Sequence, residues 1–216
     1  MILQGPKVEP TGNPESAIIL LHGYGANGDD LIDLAAFWQD RFPSTVFLSP
    51  NAPEEIPFLG FGGLQWFGLT TRSAEEFWSG VNHAAPVLNT YVDEVISHYG
   101  LLPKQVALVG FSQGTMMALH VGPRRIESLA AIVGLSGRLA GPEHLSTELK
   151  SRPPVQLIHG EDDDVIDVDA IHVAREALTS AGIGVEWHIR PGLGHGIDEQ
   201  GLQLAGDFLA EHLPAG

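Results

Sequence analysis

The 216-residue sequence predicts an α/β protein with a mostly parallel central sheet and helices on both of its faces. Short apolar runs alternate with longer amphipathic stretches, which is typical of a chain that alternates strand and helix. Several of the apolar runs are hydrophobic at every position, as a strand requires when helices cover both of its faces. These two observations predict the fold class, and the elements follow in chain order.

Six strands and five helices are predicted. The strands are expected at residues 17–21, 45–49, 106–109, 129–135, 155–158 and 184–189. The helices are expected at residues 29–40, 74–99, 113–121, 169–181 and 198–212. Pro86 lies inside the longest helix, and we expect a break into two helices near residues 82–86 because proline cannot donate a backbone hydrogen bond.

Residues 50–73 form the longest segment without periodicity, and this segment is predicted to be a loop rich in proline, glycine and aromatic residues. Loops of this length inside a domain are usually functional. The sequence contains no internal repeat, low-complexity tract or linker, so residues 1–216 are predicted to form one domain.

The composition is that of a globular protein, with 44% hydrophobic and 18% charged residues. No apolar run reaches the roughly 18 residues of a membrane span, and the first residues do not have the pattern of a secretory signal. We therefore expect a cytoplasmic protein without stable membrane association.

The formal net charge of −16 disfavours nucleic acids and anionic lipids as partners and suits neutral or cationic ligands. The chain has no cysteine, which excludes disulfides, cysteine-bound metals and a thiol nucleophile.

The candidate nucleophile is Ser112. Residues 106–109 form an apolar strand that runs into Gly110-Phe111-Ser112-Gln113-Gly114 and then into a helix. This is the G-x-S-x-G motif in the strand–turn–helix setting of the α/β-hydrolase fold, where a sharp turn exposes the serine at the top of the sheet. The following helix points its positive N-terminus at the reacting group.

A serine nucleophile needs a general base, and in this fold the chain order is serine, acid, histidine. Among the histidines after Ser112, His195 alone lies in a glycine-rich loop between the last predicted strand and the last predicted helix. Such a loop can carry an imidazole over the sheet, so His195 is the candidate base.

The acid is expected in the loop after the strand at 155–158. That loop contains three adjacent candidates, Asp162, Asp163 and Asp164, and the residue pattern alone does not choose among them. Clustered carboxylates can also bind Ca²⁺ or Mg²⁺, but the spacing of a calcium-binding EF-hand loop is absent. We expect no metal and no cofactor.

An oxyanion hole is predicted from the loop His22-Gly23-Tyr24-Gly25, which follows the first strand. In this fold one backbone N–H comes from such a loop and a second comes from the residue after the nucleophile. The expected donors are therefore the N–H groups of Tyr24 and Gln113, with His22 bracing the loop.

These motifs together resemble the phospholipase/carboxylesterase family, which comprises small carboxylesterases and acyl-protein thioesterases. The similarity covers nearly the whole chain. It rests on the segments Leu21-His-Gly-Tyr-Gly25, Gly110-Phe-Ser-Gln-Gly114, His159-Gly-Glu-Asp-Asp163 and Gly192-Leu-Gly-His195, and on the pair Trp66-Phe67. The chain departs from the family pattern at Asp164 and Asp167, where the family usually has proline.

The resemblance implies that Asp163 is the acid, with Asp162 as the alternative. It also implies hydrolysis of a small-molecule carboxylic ester with a short to medium acyl chain. Thioesters and lysophospholipids are alternative substrates, and a homodimer is an expectation from the family.

Phe61, Trp66 and Phe67 are the candidate substrate-binding residues, because the apolar side chains of the long loop could form an acyl pocket or lid. The alternative is a loop packed on the core. A non-catalytic binding protein with the same fold is the competing interpretation of another class. A dienelactone hydrolase is disfavoured because such enzymes use a cysteine nucleophile.

Overall fold

The computed structural model describes residues 1–57 and 62–214. The strands are β1 (Lys7–Val8), β2 (Ser16–Leu21), β3 (Thr45–Leu48), β4 (Glu54–Glu55), β5 (Leu64–Gln65), β6 (Val106–Phe111), β7 (Ala131–Leu135), β8 (Val155–Gly160) and β9 (Val185–Arg190). The α-helices are α1 (Gly28–Ile32), α2 (Leu34–Trp38), α3 (Ala74–Tyr99), α4 (Gln113–Arg124), α5 (Leu145–Glu148), α6 (Asp169–Ser180) and α7 (Glu199–His212).

The main sheet has seven strands in the order β1-β3-β2-β6-β7-β8-β9. Strand β1 runs antiparallel to β3, and every other neighbouring pair is parallel. The predicted α/β fold with a mostly parallel central sheet is therefore confirmed. Each of the six predicted strands overlaps a strand of this sheet.

Hydrophobic residues pack on both faces of the sheet, which explains the uninterrupted apolar runs. In β2, Ile19 and Leu21 face one buried cluster with residues of α3, α4 and α6. Ile18 and Leu20 face a second cluster with residues of α1, α2 and α7. Because parallel strands end at the same edge, the segments after β6, β8 and β9 meet there, and these segments carry Ser112, Asp163 and His195.

The predicted break of the long helix is wrong. Helix α3 continues from Ala74 to Tyr99 with Pro86 inside it. Because proline has no N–H, the carbonyl of Asn82 has no helical donor. Pro86 and Asn82 both lie on the solvent side of the helix. Val81, Ala84 and Leu88 pack on the buried side. The carbonyl of Asn82 can therefore be hydrated, and the helix does not need to end.

Two other elements differ from the prediction. The helix expected at 29–40 consists of α1 and α2, which meet at Asp33. The segment at 50–73, predicted as a loop, contains the short antiparallel hairpin of β4 and β5. No helix in the described ranges has the length and apolar character required to cross a bilayer.

Candidate active site

Ser112 occupies a strained turn between β6 and α4. Its backbone has φ +55° and ψ −113°, a region that residues other than glycine rarely adopt. The turn is held by a hydrogen bond of 2.9 Å from the Ser112 N–H to the Leu135 carbonyl of the neighbouring strand. The side chain is therefore presented at the edge of the sheet in one fixed position.

The two glycines of the motif are required by close packing. A Cβ atom on Gly114 would lie 1.9 Å from the carbonyl oxygen of Leu21, in the adjacent strand. A Cβ atom on Gly110 would lie 2.4 Å from the backbone of Gly114 itself. Side chains at either position would push α4 away from the sheet, so the spacing of the motif has a steric cause.

His195 lies between Ser112 and Asp163. Its Nε2 atom is 3.0 Å from Ser112 Oγ, and its Nδ1 atom is 2.8 Å from Asp163 Oδ2. The ring of Phe111 packs against the imidazole with the two centroids 5.0 Å apart. These contacts place the imidazole between a hydroxyl and a carboxylate in the order that activation of a serine requires.

The loop that carries His195 is fixed at several points. Its two ends are joined by the ion pair of Arg190 and Asp198 at 3.0 Å. Ser136 Oγ donates to the Gly196 carbonyl at 3.1 Å, and the Asp162 N–H donates to the Leu193 carbonyl at 2.9 Å. The position of the imidazole is thus determined by the neighbouring loops.

Asp163 is held as a carboxylate in a buried position. Burial by itself would raise the pKa of this carboxyl group. The opposing hydrogen bonds from the Ile166 N–H, from His195 and from the Val165 N–H stabilise the charged form, and the pKa of Asp163 lies below its usual value. Both N–H groups donate to Oδ1 at 2.9 Å, which leaves Oδ2 for the imidazole.

A second histidine contacts the same carboxylate. His159, at the end of β8, is only 2% exposed, and its Nε2 atom lies 3.1 Å from Asp163 Oδ2. The same nitrogen lies 2.8 Å from the Ile166 carbonyl. An Nε2–H that donates to the Ile166 carbonyl would hold the 163–166 turn closed beside the carboxylate, so His159 is a positioning residue for Asp163.

The two expected oxyanion donors line the same cleft as Ser112. Among the described residues, neither the Tyr24 N–H nor the Gln113 N–H has a hydrogen-bond acceptor. His22 braces the Tyr24 loop, because its Nδ1 atom bonds the Gly23 carbonyl and its Nε2 atom accepts the Ala52 N–H at 2.9 Å. Burial lowers the pKa of His22, which favours the neutral ring that these bonds require.

The Gln113 side chain is fully buried and holds the backbone of residues 66–67. Its Oε1 atom accepts the Trp66 N–H at 2.9 Å, and its Nε2 atom donates to the Phe67 carbonyl at 2.8 Å. The Trp66 indole N–H donates to the His22 carbonyl at 3.0 Å. The segment after β5 is therefore tied both to the nucleophile turn and to the loop of Tyr24.

The same segment pairs with the loop of Tyr24 through its backbone. The Gly25 N–H donates to the Leu64 carbonyl at 2.8 Å, and the Leu64 N–H donates to the Ala26 carbonyl at 2.9 Å. We call residues 64–67 the bracket segment, because they connect the two loops that carry the candidate oxyanion donors. The bracket segment therefore sets the distance between the two candidate oxyanion donors.

Ser112 opens into a cleft of about 550 Å³. Its apolar wall is formed by Leu69, Phe77, Met116, Val165 and Ile166. Its charged residues are Arg72, Arg138, Asp164 and Asp167, besides Asp163. No group of three or more histidine, aspartate or glutamate residues in the described ranges is arranged to hold a metal ion.

The structure places the candidate substrate-binding residues differently from the expectation. Trp66 is 0% exposed and Phe67 is 2% exposed, and both belong to the hydrophobic core beneath the cleft. Neither is among the described residues that line the cleft. Both residues belong to the bracket segment, and their buried side chains anchor it to the core. Phe61 lies outside the described residues.

Three contributions were missed from the sequence. His159 stands four residues before Asp163 in the family segment, and that spacing was a usable signal. Gln113 is predicted only as a backbone N–H donor, and the two hydrogen bonds of its side chain are an additional role. Arg138 lies in the cleft just after β7, at the same sheet edge as the other site residues, and no sequence motif marks it.

Comparison with known proteins places the chain among ester hydrolases. Residues 4–213 match the family model described as phospholipase/carboxylesterase. The esterase YpfH of Escherichia coli K12 is 30% identical over 206 residues, which cover 95% of this chain and 86% of the relative.

Two further matches extend over nearly the full length. Acyl-protein thioesterase 1 of Gibberella zeae is 27% identical, with 97% of this chain and 96% of the relative covered. The crystal structure of esterase PE8 superimposes with a TM-score of 0.94 at 43% identity and covers 98% of this chain and 99% of that one.

Proposed function

The chain belongs to the phospholipase/carboxylesterase family and is an ester hydrolase, and we propose that Ser112, His195 and Asp163 are its catalytic triad. The observation that carries this proposal is the continuous hydrogen-bond chain from Ser112 Oγ through both imidazole nitrogens to Asp163 Oδ2. The N–H groups of Tyr24 and Gln113 have no acceptor within residues 1–57 and 62–214, and both residues line the same cleft, which supports their assignment to the oxyanion hole.

In the first half-reaction, Ser112 Oγ attacks the ester carbonyl carbon while His195 Nε2 accepts the hydroxyl proton. The carbonyl oxygen gains negative charge and is stabilised by the N–H groups of Tyr24 and Gln113. The tetrahedral intermediate then collapses, the bond to the alcohol oxygen breaks, and His195 returns the proton to the leaving alcohol. An acyl-enzyme on Ser112 remains.

In the second half-reaction, His195 removes a proton from water, and the water oxygen attacks the acyl carbon. The bond to Ser112 Oγ breaks, and the serine recovers its proton from the imidazolium. Asp163 stays ionised throughout and stabilises the imidazolium charge, in agreement with its lowered pKa. His159 keeps the carboxylate oriented.

The substrate is proposed to be a small-molecule carboxylic ester with a short to medium acyl chain. The cleft volume of about 550 Å³ and its short apolar wall are suited to such chains. The relatives named esterases, at 30% and 43% identity, favour esters over the thioesters named for the Gibberella relative. The cytoplasmic location and the homodimer stay predictions.

The proposal is tested with p-nitrophenyl esters from acetyl to palmitoyl, with wild type and Ser112→Ala in parallel. We expect a maximum of kcat/KM at short or medium chains and a loss of about 10³-fold or more in the variant. A fluorophosphonate should label wild type at Ser112 and leave the variant unlabelled. Absence of serine-dependent turnover at every chain length would favour a non-catalytic binding protein.

A further inference from the structure

Arg138 is a half-buried cation beside the nucleophile. It lines the same cleft as Ser112 and His195, and it also lines an adjoining pocket of about 300 Å³. Its Nε atom is inaccessible to solvent and has no hydrogen-bond partner, and within residues 1–57 and 62–214 no side chain or carbonyl accepts from its guanidinium. Burial lowers the pKa of Arg138, which reflects the cost of keeping the charge there, and the attraction of the Asp167 carboxylate offsets only part of this effect.

Four of the seven other arginines of the chain are paired with carboxylates. A carboxylate oxygen lies between 2.5 and 3.0 Å away in the pairs Arg41–Asp207, Arg124–Glu148, Arg125–Asp93 and Arg190–Asp198. With 27 acidic residues for 11 lysines and arginines, acidic partners are abundant. Arg138 combines the lack of a partner at its buried Nε atom with a half-buried position in the cleft, so a carboxylate on the substrate can pair with it.

The backbone that carries Arg138 is rigid. Ser136 has φ +45°, and its N–H donates to the Ile158 carbonyl at 2.8 Å. A Cβ atom on Gly137 would lie 2.3 Å from the side chain of Thr115 in α4. The turn is thus packed against the nucleophile helix, and Arg138 keeps a fixed position relative to Ser112.

The guanidinium is also oriented by an aromatic ring. Its Cζ atom lies 4.8 Å from the centroid of Phe77, a buried residue of α3 that lines both pockets. Stacking occupies one face of the guanidinium and leaves its in-plane N–H groups for an acceptor. A planar acceptor with two oxygens matches this geometry.

We propose that Arg138 forms a carboxylate-binding subsite and that the preferred substrates are esters that carry a carboxylate group. The inference rests on the proposed function and names its substrate class. Arg72, on the same cleft, adds a second positive charge. Although the net charge of the whole chain suits neutral or cationic ligands, Arg138 and Arg72 place positive charge on the wall of the cleft.

The carboxylates around the cleft determine whether the subsite accepts substrates with one carboxylate or with two. Asp163 is paired with two histidines, and Asp167 Oδ1 accepts the Asp169 N–H at 2.9 Å. Asp164 and Asp167 are exposed, so water screens their charges more than that of half-buried Arg138. A substrate with one carboxylate on the Arg138 side meets attraction, whereas a second carboxylate would meet repulsion.

Two pairs of substrates test the subsite on either side of the ester. For the acyl side, monomethyl glutarate is compared with its neutral analogue, in which the carboxylate is a carboxamide. For the alcohol side, 4-acetoxybutanoate is compared with 4-acetoxybutanamide. Within each pair the size is the same, so the ratio of the two kcat/KM values reports the charge, and a pH-stat measures all four reactions.

We expect wild type to favour the carboxylate in one pair by about 10-fold or more, as a charge-assisted bidentate contact implies. In Arg138→Gln this ratio should fall by about 10-fold, and in Arg138→Lys it should be intermediate because the charge remains without the fork. Arg175→Gln is the matched control, since half-buried Arg175 also stacks at 4.8 Å on an aromatic ring, that of Trp187. The control should keep the wild-type ratio.

A measurement on wild type alone covers the case in which Arg138→Gln does not fold. Glutaramate, which has one carboxylate and one carboxamide, should inhibit hydrolysis of the neutral ester with a Ki about 10-fold lower than that of the diamide glutaramide. Ratios near one in both pairs, or equal losses on both members of a pair in Arg138→Gln, would overturn the subsite. In either case Ser112-dependent hydrolysis of the neutral esters would persist, so the proposed function would stand. If the proposed function itself were wrong, none of the four substrates would be hydrolysed in a Ser112-dependent way.

Discussion

Gln113 and Trp66 are joined by a buried hydrogen bond of 2.9 Å from the Trp66 N–H to the Gln113 side-chain oxygen. The neighbouring Phe67 carbonyl accepts from the other end of the same amide. One side chain thus satisfies two backbone groups that water cannot reach. It also links the turn of the nucleophile to the bracket segment and, through it, to the loop of Tyr24.

Replacement of Gln113 by alanine should therefore reduce both stability and turnover. Two buried backbone groups lose their partners, which costs about 1–3 kcal/mol each in free energy of unfolding. With the bracket segment released, the N–H groups of Tyr24 and Gln113 lose their spacing, and kcat should fall by about 10²-fold, as for loss of one oxyanion donor. Urea unfolding and steady-state kinetics measure the two effects.

Gln105→Ala is the matched control for this prediction. Its side chain also accepts one backbone N–H, from Leu102, and donates to one carbonyl, that of Glu15, at 2.8 and 2.7 Å. These bonds are exposed, so water can replace them, and the loss in free energy of unfolding should stay below about 1 kcal/mol. If Gln113→Ala kept wild-type kcat, the bracket segment would not position the oxyanion donors.

Features with a local cause could be predicted from the sequence. The G-x-S-x-G spacing reflects the contact of Gly114 with Leu21 in the next strand, so the motif between an apolar strand and a helix identifies the turn. His195 follows from chain order and from its place in a loop at the sheet edge. The sheet follows from apolar runs that two helical layers must cover.

Features that depend on which face of a helix or loop is exposed to solvent could not be predicted from the sequence. Trp66 and Phe67 would give the same apolar pattern whether they faced the cleft or the core. Pro86 leaves the helix intact because the free carbonyl lies on the hydrated side, which the sequence does not state. The bonds of Gln113 join residues more than 40 positions apart, beyond the reach of any local pattern.

Substitutions at Asp163 and Asp162 show which of the two residues is the acid of the triad. In Asp163→Asn the amide keeps the size of the side chain but no longer stabilises the imidazolium or selects its tautomer, so kcat should fall by about 10³–10⁴-fold. Asp162→Asn should stay within about threefold of wild type, because its side chain is exposed and its N–H bond to Leu193 is made by the backbone. Steady-state kinetics on one neutral ester decide between them, and a larger loss in Asp162→Asn would reassign the acid.

The strained backbone of Ser112 predicts an unusual order of stability. At φ +55° a Cβ atom costs about 1–3 kcal/mol, and glycine avoids that cost. Ser112→Gly should therefore unfold with a free energy about 1 kcal/mol higher than Ser112→Ala, even after the greater flexibility of glycine in the unfolded chain.

Ala118 in the middle of α4 provides the reference for that order. Glycine there should lower the free energy of unfolding by about 1 kcal/mol relative to alanine, as in other helices. Urea titrations of the three variants and wild type give the comparison. If alanine were the more stable residue at position 112 as well, the turn would not store strain.

His120 predicts how stability changes with pH. This buried residue of α4 packs edge-on against Trp78, and its Nδ1 atom has no hydrogen-bond partner among the described residues. Burial, with a smaller effect of Arg124, lowers the pKa of His120 to about 3. In the unfolded chain the pKa of a histidine is about 6.5.

Between these two values the unfolded state binds a proton at His120 and the folded state does not. The free energy of unfolding should therefore be highest above pH 6.5 and should fall with decreasing pH, by about 1.4 kcal/mol per pH unit from this residue. In His120→Leu, which cannot take up a proton, the slope between pH 4 and 6 should be smaller by about that amount. Urea unfolding at several pH values measures this slope.

His83→Leu is the control. Its side chain is 76% exposed, and the variant should keep the wild-type slope. Equal slopes in wild type and His120→Leu would mean that the folded protein accommodates a protonated His120.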